Sequence, residues 1–188
     1  MKGFVRDDLL FSLCGLNCGL CSLHMGGHCP GCGGGAGNQT CAIARCAMQK
    51  EVQPVYCSAC AEFPCERYSR PDEYDSFITH RNRMKDFIRM KDIGADAYHE
   101  EQQEKIEILS KLISEYNDGR RKTLYTLAVN LLEIEELRDI MHILAEENSD
   151  EITIKEKAEK AVSLLQERSA KVPVELKLRK KAVQKSAG

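Results

Sequence analysis

The stretch Cys29-Pro-Gly-Cys32-Gly-Gly-Gly-Ala-Gly37 decides how this chain is read. From Gly31 to Gly37 it holds five glycines, one alanine and one cysteine. That composition argues against helix or strand, because glycine loses the most backbone freedom on ordering. Pro30 pre-sets a turn between the two cysteines, and the glycines allow positive φ and close backbone approach. In such a turn Cys-x-x-Cys spacing lets two thiolates converge on one ion. The same spacing recurs at Cys18-Gly-Leu-Cys21 and Cys57-Ser-Ala-Cys60, giving three pairs within 43 residues. Tetrahedral zinc takes four sulfurs, so two pairs complete a site and three predict metal binding strongly.

Working outward, all ten cysteines lie between Cys14 and Cys65 of the 188 residues. Residues 1–70 also carry ten of the thirteen glycines, with few large apolar side chains. Such a segment cannot bury enough surface to fold unaided, and a structural metal is the available staple. The preferred partition has two four-cysteine zinc sites, one ion in each: Cys18, Cys21, Cys29 and Cys32 in the first, Cys41, Cys46, Cys57 and Cys60 in the second. Cys14 and Cys65 are possible substitutes and the expected leftover thiols. His24 and His28 are read as exposed loop residues, since sulfur alone suffices.

The rest of the composition is that of an ordinary globular protein: 43% hydrophobic, 30% charged, net charge −2. No apolar run reaches membrane-spanning length. Asp7 and Asp8 precede only a short apolar patch, which is wrong for a signal peptide. A cytoplasmic location with reduced thiols is therefore expected, and a disulfide framework is not.

Residues 71–170 hold fifteen Lys/Arg against twenty-three Asp/Glu and read as amphipathic helices. The first is expected from Pro71-Asp72-Glu73 to Gly94, with Tyr74, Phe77, Ile78, Met84, Phe87 and Ile88 sharing a face. A second carries Tyr98, Ile106, Leu109, Leu112, Ile113 and Tyr116, ending near Asp118-Gly119. A third starts around Thr123, a fourth uses Ile134 to Leu144, and Thr153 with Glu156 forms a capping box for a fifth. Narrow apolar stripes must pack on one another, so the expected fold is mainly α, a small irregular cysteine-rich metal-binding domain (1–70) packed on a helical bundle (71–170). Residues 171–188 carry six Lys/Arg and one acid, a basic tail in which Val172, Val174, Leu176 and Leu178 alternate like a short edge strand or lie in a disordered end.

Other chemistries compete. Cys14-x3-Cys18-x2-Cys21 is the spacing that holds a [4Fe–4S] cluster in radical S-adenosylmethionine enzymes, but the alternating strands and helices of their barrel are missing. An iron–sulfur centre in a redox or metalloenzyme component is the alternative cofactor reading. Thioredoxin-like chemistry needs a strand–helix setting that these glycine-rich pairs lack. A zinc-ribbon-type nucleic-acid binder is disfavoured by a charge of +1 over residues 1–70 and −8 over the helices. Gly119-Arg-Arg-Lys122 reads as a solvated turn. No nucleophile motif, Walker loop or dinucleotide fingerprint is present, so no enzyme activity is assigned. The favoured role is a structural zinc module that positions the helices or presents a surface to a protein partner.

The order of these elements resembles the cysteine-rich prokaryotic family catalogued as domain of unknown function 3795. The residues that carry the likeness are Cys14-Gly-Leu-Asn-Cys18 with Cys21, Cys29-Pro-Gly-Cys32, Cys41-Ala-Ile-Ala-Arg-Cys46, Cys57-Ser-Ala-Cys60 and Phe63-Pro-Cys65-Glu66. The match covers about residues 10–70 and extends to Met90-Lys-Asp-Ile-Gly94. The resemblance implies a metal-binding, zinc-type prokaryotic protein and brings no reaction with it.

Overall fold

A computed structural model describes residues 2–35, 41–68, 74–147, 151–172 and 174–180. The chain is mainly helical, and among the described residues there is no strand, only an isolated antiparallel bridge between Phe11 and Asn17. Two short helices belong to the cysteine-rich region: α1 (Ser22–Met25) and α2 (Ala42–Met48). Five longer ones follow: α3 (Arg83–Ile93), α4 (Ala95–Glu115), α5 (Lys122–Leu131), α6 (Ile134–Glu146) and α7 (Ile154–Lys171).

The long helices form where the apolar stripes fall. Gly94 sits at φ +88°, a conformation that ends α3 and starts α4 at one residue. Thr153 Oγ1 accepts from the Glu156 N–H at 3.3 Å and Glu156 Oε2 accepts from the Thr153 N–H at 2.9 Å, closing the capping box of α7. Leu109 and Leu112 of α4 pack with Tyr125 and Val129 of α5, Leu137 and Ile140 of α6, and Leu165 of α7. Within this core the Tyr125 hydroxyl donates to the Tyr116 carbonyl at 2.5 Å.

The expected helix from residue 71 is corrected. Pro71, Asp72 and Glu73 lie outside the described residues, and 74–82 is loop, so α3 begins only at Arg83. The physical reason is Asp75. Its carboxylate accepts from Thr79 Oγ1 at 3.2 Å and from the His80 N–H at 2.9 Å, offering the backbone a local alternative to helix. Tyr74, Phe77 and Ile88 are exposed, whereas Ile78 and Phe87 are buried. The loop also holds the tail. Arg81 donates to the carbonyls of Glu175 (2.7 Å) and Lys177 (3.0 Å), and Asp75 exchanges hydrogen bonds with the Arg179 backbone. Residues 174–180 therefore run as a strap along the loop, with Val172 and Leu176 against the helical core, and form no strand. Pro173 and residues 181–188 lie outside the described residues.

The boundary near residue 70 is crossed by packing. Leu20, 1% exposed, is seated in the helical core beside α4 to α7. Phe11 packs edge-on against Phe87 and Tyr98 at centroid distances of 5.7 and 5.0 Å. Asn17 Nδ2 donates to Asp86 Oδ2 at 2.8 Å, and the Asn17 amide meets the Tyr98 hydroxyl at 3.4 Å. Burial pushes the Asp86 carboxyl up to about 7, with the Lys105 charge opposing. Burial lowers Lys105, whose ammonium donates to the Leu132 carbonyl at 3.0 Å.

Candidate metal centre

Two of the three Cys-x-x-Cys pairs fold in the same way. Cys18–Leu20 and Cys57–Ala59 are single 3₁₀ turns, closed by the Cys21 N–H donating to the Cys18 carbonyl and the Cys60 N–H to the Cys57 carbonyl, each at 3.0 Å. The third pair runs through Gly31 at φ +89°, where a Cβ would stand 2.5 Å from the Leu9 carbonyl oxygen. Glycine is required there on both counts, as the sequence implied.

These turns bring the thiols into two neighbouring groups. Cys18 is pushed up by burial and then by Cys14, Cys32, Cys21 and Cys29, which surround it. Cys46, Cys57, Cys60 and Cys65 line a small, mostly apolar hollow together with Phe63, Arg67 and Tyr68. The Leu13 backbone is the strut between the groups. Its N–H donates to the Cys32 sulfur, and its carbonyl accepts from the Cys57 N–H at 2.8 Å. Cys14 follows directly, 3.2 Å from Ser12 Oγ, and its field reaches both Cys18 and Cys57.

Charges ring the groups. The Arg6 guanidinium donates to the carbonyls of Asp8, Phe11 and Val55 at 2.9 to 3.2 Å and to that of Cys32 at 3.5 Å, tying the N-terminal arm to both cysteine loops. It also lowers Cys32, against the larger upward effect of burial. Arg67 hydrogen-bonds the Cys46 sulfur. Burial raises Cys57 to about 11, and the Tyr68 hydroxyl beside it pulls the other way. That hydroxyl is buried with no hydrogen-bond partner, and the Cys57 sulfur acts on it from beside.

Of the sequence-predicted ligands, Cys18, Cys21, Cys29 and Cys32 lie together, and so do Cys46, Cys57 and Cys60. Cys41 does not join them: it is exposed at the N-cap of α2. Cys65, expected to be left over, stands with the second group instead. His28 is exposed, and His24 is half-buried with Nδ1 at 2.9 Å from the Cys29 carbonyl. All ten cysteines are free thiols. Among the described residues, no three Cys, His, Asp or Glu side chains converge closely enough to hold a metal ion between them.

Sequence reasoning missed Arg6, Leu13 and Tyr68. An arginine among acids and a tyrosine after Cys65 carry no periodic signal, and a backbone strut carries none at all. No helix among the described residues is long and apolar enough to cross a membrane. No protein-family model, curated protein or solved structure matches the chain.

Proposed function

We propose that residues 1–70 are a zinc-binding module with two thiolate sites, structural in role, which fixes the helical body and offers a surface to a protein partner. The carrying observation is that nine reduced cysteines, all but Cys41, gather in two groups joined by the Leu13 strut. On this reading Cys18, Cys21, Cys29 and Cys32 close in on the first ion as it binds, with Cys14 alongside. Cys46, Cys57, Cys60 and Cys65 hold the second, with Cys65 in the place that spacing gave to Cys41.

The donor chemistry fits. Four thiolates per ion suit zinc and leave no open coordination position, which favours a scaffold over catalysis at the metal. Thiols crowded as these are resist ionising alone, and a bound cation reverses that resistance. Arg67, Tyr68 and the Leu13 peptide stand beside the sulfurs of Cys46, Cys57 and Cys32, in place to donate to thiolates on a metal. The region also needs a staple, because among the described residues the apolar cluster around Leu13 has four buried members, Phe4, Leu13, Ala44 and Ala47. The resemblance to the cysteine-rich prokaryotic family supports the same reading.

Native mass spectrometry and elemental analysis of protein purified anaerobically under reducing conditions test the proposal. Two zinc ions per chain are expected. Metal-free protein that melts cooperatively would overturn it. Iron with a brown colour would replace zinc by an iron–sulfur cluster.

A further inference from the structure

A cavity of about 410 Å³ lies where the N-terminal loop meets α4, and no cysteine is among its lining residues. Its volume is that of a small-molecule site. Phe11, Leu20 and Ile106 give it an apolar floor, while Asp8, His99, Glu100 and Gln102 supply its polar groups. Neither thiol group nor the proposed zinc module uses it.

We propose that this cavity binds a small organic ammonium, a primary amine head on a short apolar body. Three observations set that chemistry. First, Gln102 is 6% exposed, lines the cavity, and its Oε1 is buried with no hydrogen-bond partner. A buried carbonyl left unpaired is costly, and a donor brought in by a ligand satisfies it.

Second, the Asp8 carboxylate of the wall is fixed in place by its neighbours. The Tyr56 hydroxyl donates to Asp8 Oδ2 at 2.7 Å, so at 3.1 Å it must accept from His99 Nε2–H. That bond orients the His99 ring at the wall, with Nε2 also 3.6 Å from Asp8 Oδ2. Asp8 is itself held in place, since its Oδ1 accepts from the N–H groups of Leu10 (3.0 Å) and Phe11 (2.9 Å).

Third, the charge is one-sided. Asp8 and Glu100 line the cavity, and among the described lining residues there is no Lys or Arg. A carboxylate or phosphate ligand would meet two like charges, offset only by the neutral amides of Gln102 and Gln103. An ammonium group meets acceptors in several directions, and its apolar body meets Phe11 and Ile106. His99, Gln102 and Ile106 recur at helical spacing along α4, so one rigid helix presents both the acceptors and the apolar wall.

Calorimetric titration of the full chain with 2-phenylethylamine, 2-phenylethanol and phenylacetate tests the proposal. The amine should bind saturably, the alcohol at least about tenfold more weakly, and the acid not at all. Gln102→Leu should weaken amine binding by about tenfold or more. Glu100→Gln, on the exposed rim, should weaken it a few-fold, and that difference should vanish at high salt. If Gln102→Leu does not fold, the Glu100→Gln variant and the amine-to-acid comparison decide. Amine binding that never saturates, phenylacetate binding as tightly as the amine, or affinity unmoved by Glu100→Gln would each overturn it.

Discussion

The helical body and the thiol-rich region are specified by different things. From α4 to α7 each helix presents a continuous apolar stripe, and the stripes meet in one core from Ile108 to Leu165. Any one side chain there is backed by many others. Among the described residues before 69 the longest helix is Ala42–Met48, and the apolar cluster around Leu13 has four buried members. Shape there comes from single points: a glycine at positive φ, one arginine on four carbonyls, one peptide bonded on both sides. The first kind of region degrades gradually under substitution, and the second loses its form when one point goes. On the proposed reading, two metal ions supply the redundancy that the thiol-rich region lacks.

The largest effect should come from the ligands. Cys18→Ser and Cys60→Ser are each expected to cost one bound ion and several kcal/mol of stability. Cys41→Ser, at an exposed helix cap, should change neither metal content nor melting. Native mass spectrometry with thermal melts reads both. An ion lost from Cys41→Ser would break the grouping of thiols given above.

Next is Leu20, which belongs to one region by sequence and to the other by packing. Leu20→Ala should cost roughly 2–5 kcal/mol, measured by loss of helical circular dichroism in denaturant. If helical melting is unmoved while metal is released, the two regions are separable and the contrast sharpens into two domains.

The third test is pH. Burial raises Asp86 from its ordinary 3.8 to about 7, so between those values the folded chain keeps a proton that the unfolded chain has released. The associated stability is present below the ordinary value and is lost as pH rises through 7, by at most about 4 kcal/mol. Asp86→Asn should flatten the stability profile from pH 4 to 7. A slope retained in that variant would assign the proton to another group.

The smallest effect tests redundancy itself. Thr153→Ala removes the cap of α7 and should cost about 1 kcal/mol, with metal content unchanged. A full unfolding from this one change would mean that the helical body, too, depends on single points.

How much of this was legible follows the same divide. The spans of α4 to α7 and the Thr153–Glu156 cap follow from periodicity and a local motif, both of which are short-range. The loop over 74–82 was not legible, because what holds it is Asp75 bonding backward and Arg81 reaching residues 175 and 177. Asp86, Lys105 and Gln102 carry no apolar signal in the sequence, and their burial comes from long-range packing, with Asn17 on Asp86 and the Leu132 carbonyl on Lys105. Cysteine spacing identified the knuckles but not which of them meet. Cys65 rather than Cys41 stands with Cys46, Cys57 and Cys60 because of how the 57–68 turns fold back, and spacing does not encode that.

The seat of Leu20 has a consequence in time as well as in space. A ribosome making about ten residues per second delivers the ten cysteines, from Cys14 to Cys65, within about five seconds of one another. The core that receives Leu20 draws on residues as late as Leu165, which emerges roughly ten seconds after Cys65. During that interval the thiol-rich segment is out of the exit tunnel without the wall it packs against. Its cysteines then meet the cellular redox pool and metal carriers before they meet their own helices. Early metal capture would guard the nascent chain against thiol oxidation, and the order in which ligand and helix arrive is written into the order of the chain.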